Sequence, residues 1–256
     1  MARADLHLHT RHSLRSPEWL LRRLGVPASV SDPRDLHARL RRAGMDFVTF
    51  TDDDSIDGCL EIADLPGTFL SESVTASFPE DGCRVSILVW GITETRHREI
   101  QELKGNIYEL QQYLVRHGIA HGVGGCLHGL GGKLRPSHLM RLTLLFRLFE
   151  GINGRQSALL AEVGRHLFEP TASDIERFAS ETGIRPALSE PWRKAWFGGS
   201  DDHGGTTPGR AFTETPPAAG VEEFLSHLRD GRCSPAGEPG TPLRAALDTY
   251  QIAFSH

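Results

Sequence analysis

Short β-rich apolar segments alternate with amphipathic helical stretches along most of the chain, and this alternation limits the available folds more than any other feature. Residues 47–51 (Phe-Val-Thr-Phe-Thr), 68–76, 84–91, 119–123, 147–150 and 195–197 read as strands; in 84–91, Val85, Ile87 and Val89 alternate. Between them, helices are expected at 32–44, with Pro33 at the first position and Leu36, Leu40 and Met45 on the buried side, and at 93–117, 136–145, 157–167 and 173–183. The 93–117 stretch reads as the longest helix, its stripe of Ile100, Leu103, Ile107, Leu110 and Leu114 packing into a core. Beyond residue 210 come a strand at 211–215, a helix at 221–230, a Pro/Gly-rich link at 234–242 and a closing helix. Such an order predicts an α/β fold on a parallel sheet, with chemistry collected at the C-terminal strand ends.

Overall properties narrow the class further. At 256 residues and 39% hydrophobic content the chain can bury one sizeable core, so a single domain over 1–256 is expected, with a motif-bearing part at about 3–215 and a helical extension at about 216–256. The net charge is -5 with both signs mixed, which gives no basic stripe for a nucleic-acid backbone. The cluster Arg39, Arg41 and Arg42 reads as a solvated helix face. Cys59, Cys83, Cys126 and Cys233 are far apart with no Cys-x-x-Cys pair, a pattern that fits a reducing cytoplasm. The N-terminus has no apolar signal core, and no run approaches the ~18 apolar residues of a membrane span, so a cytoplasmic location is expected.

The chemistry-bearing residues sit where strands end. In Asp5-Leu6-His7-Leu8-His9-Thr10, alternation puts His7 and His9 on one face and Leu6 and Leu8 on the other. The strand at 47–51 runs into Asp52, Asp53 and Asp54, which ask either for a cation or for a helix N-terminus beginning at Ser55. Glu72 lies in the 68–76 strand and His121 in 119–123; the glycine-rich 124–132 holds Cys126 and His128 but lacks the Lys-Ser/Thr ending of a nucleotide-binding loop. The strand at 195–197 opens into Gly198-Gly199-Ser200-Asp201-Asp202-His203-Gly204-Gly205. His and carboxylate groups meeting on one rim point to Zn, Mn or Fe. Paired ions of this kind, ~3.5–4 Å apart, hydrolyse phosphate esters.

Three stretches, Asp5–Thr10, Phe50-Thr51-Asp52-Asp53-Asp54-Ser55-Ile56-Asp57-Gly58 and Gly199-Ser200-Asp201-Asp202-His203, resemble the first, second and last motifs of the PHP (polymerase and histidinol phosphatase) family. The resemblance spans about residues 5–205 and implies a distorted (β/α)7 TIM-like barrel, as many as three metal ions and phosphoesterase ancestry. It also exposes departures. Asp53 stands where the family has an imidazole ligand, Ser73 where it has a bridging Glu, with Glu72 one place early, and Gly125 where it has a further His. One residue of offset turns a strand side chain to the opposite face. Arg15 stands where an Asp often follows Ser in the first loop, and Glu150 and Asn153 resemble a Glu-x-x-Asn segment beside the family's site.

The ligand set implied is therefore His7, His9, Asp53, Asp201 and His203, with Glu72, His121, Cys126 and His128 as substitutes and fewer than three ions. Arg15 and Arg155 are candidates to pair with phosphate oxygens of a small phosphorylated metabolite or nucleotide. Two alternatives stay open: a PHP pseudoenzyme that binds a ligand without turnover, and a module that works through a protein partner.

Overall fold

The structure, a computed structural model, describes residues 1–14, 23, 27–125 and 134–254. It is a mixed α/β fold with two sheets. The larger contains β2 (Leu70–Ser77), β3 (Arg84–Ile92), β4 (Ala120–Gly124), β5 (Leu148–Asn153) and β6 (Ala195–Gly199), in that spatial order. The smaller is β1 (Ala2–Ala4), β7 (Ala211–Thr215) and β8 (Ser234–Gly237), in the order β1-β7-β8. Helices α1 (Pro33–Arg42), α2 (Asp57–Leu60), α3 (Glu94–Leu103), α4 (Ile107–Arg116), α5 (Pro136–Leu145), α6 (Ala158–Leu167), α7 (Ala172–Thr182), α8 (Val221–Arg229) and α9 (Pro242–Phe254) complete the described elements.

The expected parallel sheet is corrected to a mixed one. β4, β5 and β6 are parallel, but β3 runs antiparallel to both β2 and β4. The cause is the short β2–β3 connection, closed by Phe78 N–H to Cys83 O (2.8 Å) and Gly82 N–H to Phe78 O (2.9 Å). A link that short permits only a hairpin.

The helix expected over 93–117 is two helices. Asn106 caps α4, accepting from the Tyr108 amide at 3.1 Å, while Lys104 turns inward to Asp54 at 3.2 Å. Ile100, Ile107, Leu110 and Leu114 nevertheless share one apolar core with Val74, Val85, Ile87 and Phe149, so the stripe survives the break.

The 234–242 link contains β8, with Pro235 opposite Thr213. Proline is tolerated there because β8 is an edge strand of its sheet.

Residues 5–10 and 47–54 run extended without forming ladders, because side chains occupy backbone groups that a ladder would use. Asp5 accepts from the amides of Ser200 (2.9 Å) and His7 (3.3 Å); Thr51 Oγ1 accepts from Leu8 N–H (3.0 Å); Phe50 N–H is 3.3 Å from Cys59 Sγ. Isolated parallel bridges remain at Leu8–Asp202, Val48–Thr68 and Asp53–Ser73. α1 starts as its sequence dictates, Asp32 accepting from the amides of Arg34 (3.0 Å) and Asp35 (3.2 Å), with Pro33 first and Leu36 and Leu40 buried. Among the described residues, no helix is long and apolar enough to cross a membrane.

Candidate metal centre

His7 and His9 lie on the extended run that continues β1, and Asp201 and His203 on the segment that leaves β6. The two runs are joined by Asp201 N–H to His7 O (2.6 Å) and His9 N–H to Asp202 O (3.1 Å). This pairing places three imidazole Nε2 atoms around one carboxylate oxygen. Asp201 Oδ1 is 3.4 Å from His7 Nε2, 3.4 Å from His9 Nε2 and 3.3 Å from His203 Nε2. The rings of His9 and His203 stack at 4.0 Å between centroids, and that of His7 meets His9 edge-on at 5.2 Å. All three imidazoles are buried, while the Asp201 side chain keeps 19% exposure and so forms the solvent side of the cluster. Asp201 holds a left-handed φ of 50°, uncommon for a residue with a side chain and a form of strain that collects at functional sites.

Each imidazole is oriented through its other nitrogen. His7 Nδ1 lies 2.7 Å from Glu150 Oε1, His9 Nδ1 lies 3.2 Å from Ser13 Oγ, and His203 Nδ1 donates to the Ala28 carbonyl at 3.0 Å. Glu150 is itself held by the Gly125 amide (2.7 Å) and Asn153 Nδ2 (3.0 Å), and Asn153 Nδ2 also donates to Asp201 Oδ2 (3.1 Å). Partners of this kind fix ring orientation and leave Nε2 facing the ligand position.

The electrostatics are uneven across the cluster. Burial opposes a charge on His7, but Asp201 and Glu150 outweigh it and push its pKa up to about 10. Burial also works against the Asp201 carboxylate, and the neighbouring His7 overrides it, holding that carboxyl well below the usual range. His203 goes the other way: burial first, then His9 and Arg155, push it down to about 3.

The donor set fits a first-row ion. Tetrahedral bonds of ~2.1 Å put ligand atoms ~3.4 Å apart. The three nitrogen–oxygen separations are 3.3, 3.4 and 3.4 Å, and the ligand atoms of His7, His9 and Asp201 all lie within 4.8 Å of one another.

The remaining candidates scatter. Asp53 accepts from Ser13 Oγ at 3.2 Å, one residue removed from His9; burial raises its pKa, Asp201 adds to the rise, and His9 and His7 oppose it. Of its other two members, Asp54 meets a cation in Lys104 and neither caps a helix. Asp52 accepts from the Thr10 amide (2.5 Å) and hydroxyl (2.6 Å), and Asp54 from the Thr75 amide (3.0 Å), while α2 has no side-chain cap.

Glu72 is completely buried against α3, its Oε2 accepting from Gln101 Nε2 (2.7 Å) and lying 2.9 Å from His97 Nδ1. It is therefore committed to a helix, not to the cluster. The neighbouring Ser73 Oγ meets Ser86 Oγ at 2.9 Å. His121 is near the start of β4, donating from Nδ1 to the Ile119 carbonyl (2.7 Å) and standing edge-on to Phe146, which precedes β5. That is the opposite end of the strand from Gly124. Arg155 is tied to Asp248 of α9 at 2.8 Å. Arg15, Cys126 and His128 lie outside the described residues.

Sequence reasoning did not find Ser13, Ala28 or Asp248. A serine four residues after His9 is a local signal that could have been read; Asp248, 93 residues from Arg155, has none.

No known family profile matches the chain. An uncharacterized protein of Methanocaldococcus jannaschii is 35% identical over 75 residues, which is 29% of this chain and 42% of that protein, so the chain matches under half the length of this curated relative. Among solved structures, an amidohydrolase from Chromobacterium violaceum with bound sulfate and no metal is similar at a TM-score of 0.46 and 14% identity, over 89% of this chain and 97% of that one. A candidate metal-dependent phosphoesterase from Bifidobacterium adolescentis is similar at 0.43 and 13%, over 78% and 87%. At these scores neither likeness assigns an activity, and the PHP resemblance rests on the motifs themselves.

Proposed function

We propose that the chain is a PHP-type metal-dependent phosphoesterase with a reduced metal centre, acting on a small phosphorylated metabolite or nucleotide. The observation that carries this reading is the convergence of His7, His9 and His203 Nε2 on Asp201 Oδ1, with every Nδ1 already engaged. His7, His9 and Asp201, whose ligand atoms lie within 4.8 Å of one another, would hold the ion, with His203 and Asp53 beside them. When bound, a divalent ion (Zn, Mn or Fe) supplies Lewis acidity toward a phosphoryl oxygen and acidifies water.

The chain's own groups do the rest. Glu150, Ser13 and Ala28 aim the imidazoles, burial keeps His203 uncharged, and Arg155, held by Asp248, lies close enough to His203 to oppose a charge on it. A reduced centre is supported by Ser73 and Gly125, which supply no imidazole or carboxylate and are bonded to Ser86 and Glu150.

The same reading takes the fold as a distorted seven-stranded barrel. Its support is a circuit of backbone pairing that runs from β2 through β3, β4, β5 and β6 to residues 201–202, then to residues 7–9, across Thr51 N–H to Leu8 O (2.8 Å), and back through Ser73 N–H to Asp52 O (3.0 Å).

The test is elemental analysis of protein purified without chelators, joined to phosphate release across a phosphoester panel with Mn, Zn or Fe supplied. Expected are about one tightly bound ion per chain and turnover that disappears in His203→Ala. Bound metal with no hydrolysis of any ester would leave the ligand-binding pseudoenzyme as the reading. No bound metal under any supply would remove the enzymatic reading.

A further inference from the structure

A polar cavity of about 390 Å³ opens between the C-terminal half of α1 and the loop that follows His203. Arg39, Arg42 and Ala43 line one side, and Thr206, Thr207, Pro208 and Arg210 the other. The three arginines of α1 do different things. Arg41 is spent on the carbonyls of Met45 (2.7 Å) and Asp46 (2.5 Å). Arg42 donates from Nε to the Ala38 carbonyl of its own helix (3.2 Å). Arg39 reaches across to the loop, its Nη1 standing 3.3 Å from where a Cβ on Gly205 would be. Arg210 shares Glu238 with Arg244. Arg39 and Arg42 have no carboxylate partner among the described residues.

Basic side chains in a last helical turn also offset the helix dipole, and that accounts for their being basic. It does not account for Arg39 and Arg42, neither with a carboxylate partner among the described residues, lining one cavity against a loop, in a chain of net charge -5. A phosphate group carries nearly two charges and accepts the paired N–H donors of a guanidinium, whereas a carboxylate carries one.

We propose that this cavity binds a small phosphate dianion through Arg39 and Arg42, with Arg210 at its edge. The loop it touches is rigid: Asp202 Oδ1 accepts from the amides of Thr206 (2.9 Å) and Thr207 (2.7 Å) and from the Thr207 hydroxyl (3.0 Å). A ligand there bears on the segment that carries Asp201 and His203, yet it is bound by none of the cluster residues. The site stands whether or not the cluster hydrolyses anything.

The test uses full-length protein stripped of metal and then freed of chelator, titrated with inorganic phosphate and followed by amide chemical shifts. Expected are saturating shifts at Ala43, Thr206 and Thr207, with affinity at least tenfold weaker in Arg39→Gln/Arg42→Gln and also weaker in Arg42→Glu. Both positions are exposed, and glutamine keeps helix propensity close to that of arginine, so the fold is retained. A glycerol phosphate arm separates the sources: equal affinity marks free phosphate as the ligand, and tighter binding marks a phosphomonoester. Chloride or acetate at matched ionic strength giving the same shifts, or arginine variants binding phosphate like the parent, would overturn the proposal.

Discussion

His7 Nδ1 and Glu150 Oε1 are 2.7 Å apart, with the Glu150 side chain almost wholly buried. A carboxylate from β5 thereby sets the direction of an imidazole from the chain's first extended run. Glu150→Gln keeps the size but removes the charge that holds His7 Nδ1–H. The expected result is a 10- to 100-fold (about 1.4–2.8 kcal/mol) loss of metal affinity, the usual cost of removing such a partner. Competition with a chromophoric chelator measures it.

Asp248 and Arg155 form an ion pair with 3% and 13% side-chain exposure. Asp248 also accepts from the Gly204 amide at 2.5 Å. Asp248→Ala removes both this ion pair and the acceptor of the Gly204 amide, and should cost about 3–5 kcal/mol in urea unfolding. Arg155→Met in the same background should recover part of that loss. A double variant no more stable than Asp248→Ala would show that the Gly204 bond, not the charge, was the important contact.

Lys194 gives a pH dependence outside the cluster. Burial, with Arg147 adding to it, pushes its ammonium down to about 7, while Nζ donates to the Phe146 carbonyl at 2.7 Å. Unfolded lysine holds its proton to about pH 10. Between about 7 and about 10, then, the unfolded chain binds more protons than the folded one, and stability should rise with pH by at most about 1.4 kcal/mol per unit. Below that window both states are protonated and the dependence vanishes. Lys194→Met should flatten the slope, read from denaturant midpoints at pH 7, 8 and 9.

Gly199 lies against His7. A Cβ at 199 would collide with the Cβ and amide nitrogen of His7, backbone against backbone, so nothing flexible can yield. Gly199→Ala is expected to cost about 1–3 kcal/mol, the usual price of overpacking, and to raise the metal dissociation constant by displacing His7. Thermal melts with and without added Zn separate the two effects.

The parts of this structure that were legible in the sequence are those coded locally. Pro33 after Asp32, Ser157 before α6 and Gly183 after α7 mark helix ends with their own chemistry, and those helices lie where the periodicity puts them. The alternation in Asp5–Thr10 likewise gives two imidazoles on one side, and the structure brings His7 and His9 onto Asp201. Long-range choices were not legible. Nothing in the apolar character of 84–91 says which way β3 runs; the short connection before it does. The break in the long helix is local, at Gly105 and the Asn106 cap, but the ion pair of Lys104 with Asp54, 50 residues earlier, has no local signal. The oxygen that orients His203 is a main-chain carbonyl at Ala28, which leaves no residue signature at all.

The bond from Gly204 to Asp248 also orders events in time. Synthesis runs from the N-terminus, so all four residues of the imidazole–carboxylate cluster have left the ribosome once residue 203 has emerged, while the group that clamps the loop beside them and neutralises Arg155 is still to be made. During that interval the loop after His203 has its Asp202 bonds to Thr206 and Thr207 but not yet its bond to Asp248. The last helix is thus the final tie on the segment that carries Asp201 and His203, made from the far end of the chain.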